Sequence, residues 1–283
     1  MTALVTALTL AIHVGAQPTG MAYGAGSLWT ANYGGGTVSR VDPAHHRVIK
    51  TIPVGVHPAA IAYGAGAVWV GDFGAAAVYR IDPASNTITA TIQLGSNVGG
   101  LAAAGDGDVW VSEYNSGTVD RIDPATNTVT QRTRVGGNAE AIAFAAGKTW
   151  VTNKGGYVTP VDASGKAGRR IRVAHDVDAI VSTPRGLWVA TYDGGVLARI
   201  DPRRAKVLRR VPFQSQAGGI AYVGRKLYVS DYAGGRVLRL DPSSGRTLKR
   251  MRVGSEPRDL VVAAGALWVV EQGSSDVRRI SLR

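Results

Sequence analysis

Hydrophobic and polar residues alternate in short runs along the whole chain. Between residues 58 and 95 the runs "PAAIAYG", "AVWVGD", "AVYRID" and "TITATIQLG" follow one another, separated by Gly-rich or Asp-Pro turns. Alternation with a period of two is typical of β-strands, and no segment has the 3.6-residue period of a useful helix. The turn "DPASN" combines a proline with an asparagine that suits the left-handed conformation. The pattern therefore predicts four short strands in each stretch of about 40 residues.

This four-strand pattern is repeated seven times. Each copy contains an "LWV"-like triplet, whose aromatic residue we call the marker aromatic: Trp29, Trp69, Trp110, Trp150, Trp188, Tyr228 and Trp268. Successive markers are 38 to 41 residues apart. A "RIDP"-like turn follows the marker by 12 or 13 residues in the first six copies. A repeated four-stranded unit of this length is typical of a β-propeller blade.

The two ends of the chain predict how the ring closes. The seventh copy stops after three strands, and the N-terminal "ALTLAIHVG" resembles the fourth strand of the other copies. Residues 1–15 are therefore predicted to complete the C-terminal blade, which removes an open sheet edge. We predict an all-β fold, a seven-bladed β-propeller of four-stranded blades, with residues 1–283 as a single domain.

Composition supports this fold and narrows the chemistry. Hydrophobic residues make up 45% of the chain, and 37 glycines supply many tight turns. There is no cysteine, which excludes disulfides and thiolate chemistry. No apolar run approaches the roughly 20 residues of a membrane-spanning helix. We expect a bacterial monomer, and we favour an extracytoplasmic location with its signal removed over a cytoplasmic one.

The net charge of +12 is unevenly distributed. Residues 1–140 carry a net charge of −2 and residues 141–283 a net charge of +14. Much of the excess lies in predicted outer strands, for example at Arg209 and Arg250, where cations discourage edge-to-edge pairing. Aromatic residues are not interleaved with these charges, so we predict no nucleic-acid site. Weak electrostatic contact with an anionic surface is the alternative, and salt would abolish it.

Three sets of seven residues recur at fixed places in the copies. Ring one lies three positions after the marker aromatic: Asn32, Asp72, Glu113, Asn153, Thr191, Asp231 and Glu271. Ring two is the next position: Tyr33, Phe73, Tyr114, Lys154, Tyr192, Tyr232 and Gln272. Ring three lies two positions before the first large apolar residue of the innermost strand: Thr19, Ala59, Gly99, Glu140, Asp178, Gly218 and Arg258.

The rings predict a binding site at one mouth of the propeller. Rings one and two follow the same strand, so we expect all fourteen side chains to cluster there. Four carboxylates and five aromatic rings suit a cation, a sugar or a flat polar ligand. Glu140, Asp178 and Arg258 interrupt the small residues of ring three, so we count them as candidate ligand-binding residues. The other candidates are all members of rings one and two except Thr191 and Gln272. The structural alternative is that ring two packs against the next blade and ring one caps a turn.

The marker aromatics and the arginines before Asp-Pro have simpler interpretations. A mid-strand aromatic residue in every copy is expected to fill the space between adjacent sheets. The arginine that precedes each Asp-Pro, such as Arg40 or Arg80, is expected to pair with carboxylates of the neighbouring turn. Neither set suggests catalysis.

Units of the form "P-x-x-I-A-x-G-x-G-x-V-W-V … V-x-R-I-D-P … I-x-V-G" resemble the YVTN/NHL-like β-propeller repeats. More narrowly, the whole chain resembles the virginiamycin B lyase (streptogramin lyase) type of seven-bladed propeller. That resemblance implies Mg²⁺-assisted elimination that opens a cyclic depsipeptide, with a His base on an innermost strand and a Glu on the next. Glu113 and Glu271 occupy the Glu position, and the facing His position holds Gly99 and Arg258 respectively.

No residue of ring three is a histidine, so the general base that the resemblance implies is missing. We therefore predict a recognition, sensor or scaffold propeller without a cofactor, which binds a small molecule, a peptide or a protein at the mouth. A streptogramin B lyase-like enzyme that uses Mg²⁺ is the alternative. In that case Glu113 and Glu271 would be the catalytic residues.

Overall fold

A computed structural model describes residues 10–104 and 107–282. Blades 1 to 3 contain β2 (Pro18–Gly24), β3 (Ser27–Asn32), β4 (Thr37–Asp42), β5 (Arg47–Pro53), β6 (Pro58–Gly64), β7 (Ala67–Asp72), β8 (Ala77–Asp82), β9 (Thr87–Gln93), β10 (Val98–Ala103), β11 (Val109–Glu113), β12 (Thr118–Asp123) and β13 (Thr128–Arg134). Blades 4 to 6 contain β14 (Ala139–Ala145), β15 (Lys148–Asn153), β16 (Tyr157–Val161), β17 (Ile171–Arg172), β18 (Val177–Thr183), β19 (Gly186–Thr191), β20 (Val196–Asp201), β21 (Lys206–Pro212), β22 (Ala217–Val223), β23 (Lys226–Asp231), β24 (Arg236–Leu240) and β25 (Thr247–Arg252). Blade 7 contains β26 (Pro257–Ala263), β27 (Ala266–Glu271), β28 (Asp276–Ser281) and β1 (Ala11–His13).

These strands form seven four-stranded antiparallel sheets in a ring, as the sequence predicts. The innermost strands contact one another from blade to blade, and β2 contacts β26 to close the circle. β1 is the outermost strand of blade 7, where Ile12 pairs with Val277 of β28. Residues 1–9 of the predicted closing segment lie outside the described residues. Within the described residues, no helix is long and apolar enough to span a membrane.

Turn chemistry explains why the strands begin and end where they do. Ala65 and Gly66 join β6 to β7, both with positive φ (49° and 73°). Two such residues form the hairpin turn whose twist matches that of the flanking strands. In the Asp-Pro turns Asn86 and Asn127 have φ values of 59° and 56°, the predicted left-handed conformation.

The hydrophobic core lies between the blades. Trp29 of blade 1 packs with Val54, Ile61 and Ile81, so its cluster joins blade 1 to blade 2. All seven marker aromatics are at most 5% exposed, which confirms their predicted position. The indole Nε1 of Trp29 donates a hydrogen bond to the carbonyl of Gly24 at 3.1 Å, so its polar atom is satisfied in the core.

Three arginines before Asp-Pro, namely Arg40, Arg80 and Arg199, fasten their blades to a neighbouring one through neutral acceptors. Arg40 Nη1 donates to the carbonyl of Pro83 (2.7 Å) and to Asn86 Oδ1 (2.8 Å) in the turn of blade 2. Its guanidinium also lies 4.8 Å from the ring centre of Trp29. For Arg40 the expected pairing with a carboxylate of the neighbouring turn is wrong, because the carboxylate of Asp82 accepts from Ala84 N within its own turn instead. Arg121 does pair with a carboxylate, that of Asp108 in its own blade.

We predict that Ile12→Ala lowers the free energy of unfolding by about 2–4 kcal/mol in a urea titration. Ile12 is 6% exposed and packs in the cluster that joins blade 7 to blade 1. Leu10→Ala is the control, because Leu10 is 43% exposed, and its cost should stay within about 0.5 kcal/mol. Equal costs for the two variants would show that β1 does not close the ring in solution.

Candidate functional site

A cavity of about 690 Å³ lies on the axis of the ring, lined mainly by the first strand of each blade. In every blade the pairing of that strand with the second strand shifts register at one place, between Pro18 and Gly20 in blade 1 and between Pro257 and Leu260 in blade 7. The ring-three residue lies within this bulge in all seven blades. A β-bulge redirects a side chain out of the regular pleat. Ring three therefore faces the cavity, as predicted, and all seven of its members line it.

Small residues dominate ring three because the innermost strands converge at the axis. A Cβ atom at Gly99 would collide with the carbonyl oxygen of Ala139 in the next blade. A Cβ atom at Gly218 would meet the carbonyl oxygen of Pro257 at 2.5 Å. Ring three has three charged members, Glu140, Asp178 and Arg258, which lie in blades 4, 5 and 7 respectively.

Ring two also faces the cavity, and a repeated backbone hydrogen bond holds it there. In each blade the ring-two N–H donates, over 2.7–3.1 Å, to the carbonyl of the residue before the innermost strand. We call these acceptors the lead-in residues: Gln17, His57, Asn97, Asn138, Asp176, Gln216 and Glu256. Tyr33, Phe73, Tyr114, Lys154 and Gln272 line the cavity. Tyr192 and Tyr232 lie beside the guanidinium of Arg258.

Ring one does not face the mouth, and this part of the prediction is wrong. Its members are buried, with at most 3% of each residue exposed: Asn32, Asp72, Glu113, Asn153, Thr191, Asp231 and Glu271. Asp72 shows the reason, because its carboxylate accepts hydrogen bonds from the backbone N–H groups of Val56 (2.7 Å), His57 (3.0 Å) and Ala75 (2.8 Å). The carboxylate thereby satisfies backbone donors of the loop before β6 and of the turn after β7. The structural alternative therefore describes ring one.

The two carboxylates implied as catalytic by the lyase resemblance are held in ion pairs. Glu113 Oε1 lies 2.9 Å from Arg132 Nη2, and burial together with Asp120 raises the pKa of Glu113. Glu271 pairs with Arg278 and accepts from Gly254 N at 2.7 Å. Neither side chain lines the cavity, so neither can place an oxygen on a Mg²⁺ ion held there. Within the described residues, no three His, Asp or Glu side chains are arranged to share a metal ion.

One arc of the cavity carries a cluster of charges that we call the charged wall: Glu140, Lys154, Asp178 and Arg258. Lys154 Nζ donates to Asp178 Oδ1 and lies 3.2 Å from Asp176 Oδ1 and 3.8 Å from Glu140 Oε1. Burial works to lower the pKa of Lys154, but Asp178, Glu140 and Asp176 raise it above its ordinary value. Lys154 therefore stays protonated, and the neighbouring carboxylates offset its positive charge.

Glu140 titrates unlike an ordinary carboxyl group. Burial and the nearby charge of Asp178 raise its pKa to about 8, against the opposing effect of Lys154 and Arg258. Asp259, next to Arg258, lines the same cavity, and burial raises its pKa to about 6. The Asp259 carboxylate accepts from Met21 N (2.9 Å) and Leu260 N (2.8 Å), which anchors the bulge of blade 7 to blade 1.

The opposite arc, from blades 1 to 3, forms an aromatic wall of Tyr33, Phe73 and Tyr114. Phe73 and Tyr114 meet edge to face with ring centres 5.8 Å apart. Tyr33 stacks on His57 at 4.5 Å and an interplanar angle of 11°. The cavity thus offers flat apolar surface on one side and charge on the other. Such an arrangement can hold a molecule that has both an apolar body and a charged group.

Asp259 and Asp176 belong to the site but are absent from the sequence-based candidates. The position after ring three is Gly or Ala in six blades and Asp259 in the seventh, so aligning the copies one position further identifies it. Asp176 is a lead-in residue, and all seven lead-in residues are polar. That recurring polarity is a signal which the comparison of strands alone overlooks.

Comparison with known proteins agrees with the fold just described. No family model matches the chain, and no curated protein matches it. Among solved structures, virginiamycin B lyase from Staphylococcus aureus is 14% identical with a TM-score of 0.86, over 97% of this chain and 99% of that one. A catalytically inactive His-to-Ala variant of that lyase with quinupristin is 15% identical with a TM-score of 0.83, over 97% and 99%. Hydrazine synthase from Kuenenia stuttgartiensis is 18% identical with a TM-score of 0.84, over 99% of both chains.

These similarities define the class of protein. The chain is a seven-bladed β-propeller with the architecture of the virginiamycin and streptogramin B lyases. At 14–18% identity the likeness establishes the fold alone.

We predict that Asp72→Ala lowers the free energy of unfolding by about 3 kcal/mol, because it leaves three backbone N–H donors without their charged acceptor. Asp82→Ala is the control, because Asp82 caps a turn on the outside of the ring and should cost about 1 kcal/mol. Urea unfolding measures both values. A cost for Asp72→Ala no greater than that of the control would contradict a structural role for ring one.

We predict that Glu140→Gln makes the protein more stable than wild type at pH 9 but not at pH 5. The pKa of Glu140 is about 8 in the folded protein and 4.5 in its unperturbed state, so the folded state holds the proton more tightly. Wild-type stability therefore falls as the pH rises from about 4.5 to 8, and glutamine removes this loss. The expected gain at pH 9 is at least about 1 kcal/mol, measured by urea unfolding at each pH. A pH-independent difference between the two proteins would contradict the raised pKa.

Proposed function

We propose that this protein is a recognition module that binds a small organic molecule in the axial cavity and needs no cofactor. One observation carries the proposal: the cavity joins the aromatic wall to the charged wall. Tyr33, Phe73 and Tyr114 line the first, and the second includes Glu140 and Arg258. A volume of about 690 Å³ suits a small-molecule ligand.

The rigidity of the site supports binding. Ring-three residues are fixed by bulges, and ring-two residues by the backbone bonds to the lead-in residues. Asn97 Nδ2 adds a hydrogen bond of 2.6 Å to the carbonyl of Phe73. A site whose backbone is already in position loses less conformational freedom on binding, which favours affinity.

The alternative is a lyase that opens a cyclic depsipeptide with Mg²⁺. The likeness of fold to virginiamycin B lyase supports it, and the name of its inactive variant indicates that a histidine matters there. In this chain His57 is the histidine beside the aromatic wall, stacked on Tyr33 and 3.2 Å from the carbonyl of Tyr33 through Nδ1. Glu113 and Glu271 are held in arginine pairs and do not line the cavity, so the described residues do not place a base and metal ligands around one substrate there.

We predict that filling the cavity abolishes ligand binding. Wild type, Ala59→Phe and Ala84→Phe would be compared by thermal shift against a panel of amines, carboxylates, sugars and aromatic compounds. Ala59 lines the cavity, whereas Ala84 is the matched control in an exposed outer turn. A ligand at 100 times its Kd adds about 2.7 kcal/mol, which raises Tm by several degrees.

We expect at least one class of compound to raise the Tm of wild type and of Ala84→Phe, but not that of Ala59→Phe. Stabilisation that survives Ala59→Phe would place the ligand elsewhere and refute the proposal. A panel that stabilises none of the three proteins would refute it too.

The same preparation distinguishes binding from lyase activity. Wild type would be incubated with a streptogramin B antibiotic and Mg²⁺, and the mixture analysed by liquid chromatography with fragmentation. Fragmentation is needed because elimination opens the ring without a change in mass. We expect the antibiotic to stay intact, and a ring-opened product at more than the enzyme-free rate would favour the lyase.

A further inference from the structure

Two cations line the cavity, and they differ in whether the protein neutralises them. Lys154 is surrounded by the carboxylates of Asp178, Asp176 and Glu140. In the part of the chain that the structure describes, Arg258 has no carboxylate oxygen within 4.0 Å of its guanidinium nitrogens. Arg258 is thus a positive charge inside a concave site, and no carboxylate of the described residues forms an ion pair with it.

The guanidinium of Arg258 is nevertheless held in one place. Its Cζ atom lies 5.0 Å from the ring centre of Tyr232 and 5.6 Å from that of Tyr192. Its Nε donates to Gln272 Oε1 at 3.1 Å, and Tyr232 Oη donates to the same oxygen at 3.3 Å. The Arg258 carbonyl accepts from Ser230 Oγ at 2.6 Å, which fixes the bulge beneath the side chain. Cation–π contact and these bonds stabilise the side chain without neutralising its charge.

The bond to Gln272 uses one of the five N–H donors of the guanidinium. Within the described residues, neither Nη atom of Arg258 donates to a protein acceptor. Arg258 lines the cavity, so these donors are available to a molecule inside it. Two parallel N–H groups match the two oxygen atoms of a carboxylate.

We propose that the ligand of this cavity carries a carboxylate group, which pairs with the two Nη groups of Arg258. This inference rests on the proposed function, because it names the chemical class of the molecule that the cavity binds. The rest of the ligand is a flat, largely apolar body that reaches the aromatic wall of Tyr33, Phe73 and Tyr114.

The surroundings of Arg258 favour a single negative charge over a double one. Asp259 and Asp178 line the same cavity and Asp176 lies 3.2 Å from Lys154, so these three carboxylates outnumber the two cations, Lys154 and Arg258. Because carboxylates are in excess, a phosphate dianion would meet a larger net repulsion from the site than a carboxylate meets. A carboxylate is therefore the anion that fits the site better.

Glu140 links carboxylate binding to pH. The charged groups that act on it are Asp178, Lys154, Arg258 and Asp176. A bound anion at Arg258 offsets the cation that favours ionised Glu140, so binding favours the protonated form. Because the pKa of Glu140 is about 8, affinity for a carboxylate should fall as the pH rises from 7 to 9.

The test uses three probes of similar shape and different charge: indole-3-acetate, indole-3-acetamide and tryptamine. Their Kd values would be measured by calorimetry on the full chain of wild type, Arg258→Gln, Arg258→Lys and Arg250→Gln. Arg250 is exposed on the outer strand β25 and serves as the matched control for the change from arginine to glutamine. Phenyl phosphate serves as a dianionic probe.

For wild type and Arg250→Gln we expect indole-3-acetate to bind at least tenfold more tightly than indole-3-acetamide, and more tightly than phenyl phosphate. Arg258→Gln should abolish the difference between acetate and acetamide. Arg258→Lys should retain part of this difference, because lysine keeps the positive charge but lacks the two parallel N–H groups of the guanidinium. This variant also tests the proposal if Arg258→Gln fails to fold. Circular dichroism and Tm check folding of each variant.

Three results would overturn the carboxylate proposal. They are equal affinity for the acetate and the acetamide, tighter binding of tryptamine or phenyl phosphate, and a preference for the acetate over the acetamide that persists in Arg258→Gln. The proposed function would still stand if any probe bound wild type and Ala59→Phe abolished that binding. If no probe bound wild type up to its solubility limit, the carboxylate proposal would fall, and the wider panel would decide the proposed function separately.

Discussion

The convergence of seven twisted sheets on one axis is the constraint on which this structure depends. Near the axis the innermost strands approach so closely that most positions facing the next blade must be Gly or Ala. Further out the sheets diverge, and a large aromatic residue in each blade fills the space, as Trp29 does between blades 1 and 2. The same geometry leaves an axial cavity whose lining is set by a single bulged position in each blade. The packing core and the candidate site are therefore separated along the radius of the ring.

Adjacent residues at the end of the second strand illustrate this separation. Asp72 is buried beneath the loop that leads into its blade, whereas the next residue, Phe73, lines the cavity. Successive side chains of a strand point to opposite sides, so one neighbour serves folding and the other the site. Glu271 and Gln272 repeat this division in blade 7, with Glu271 in an ion pair and Gln272 beside Arg258.

The sequence predicts the fold well because the repeat supplies the same information seven times. The marker aromatics, the Asp-Pro turns and the missing fourth strand of the last copy all lead to the observed ring. The site is predicted less completely. A polar residue at a strand end, such as Asp231, gives the same sequence pattern whether it faces a ligand or accepts hydrogen bonds from backbone groups. The two cases differ only in how the loops pack around the residue. Asp259 escaped prediction because the bulge of blade 7 brings two consecutive residues, Arg258 and Asp259, to the cavity, whereas regular strand alternation would bring only one of them.

A crystal structure with 5-bromoindole-3-acetate tests the central claim most directly, because the anomalous signal of bromine locates the ligand independently of its refinement. Our account predicts one strong bromine position in the axial cavity near the aromatic wall, with the carboxylate of the ligand on Arg258. A principal bromine position outside this cavity, for example in the smaller pocket beside Trp110 and Phe144, would contradict it.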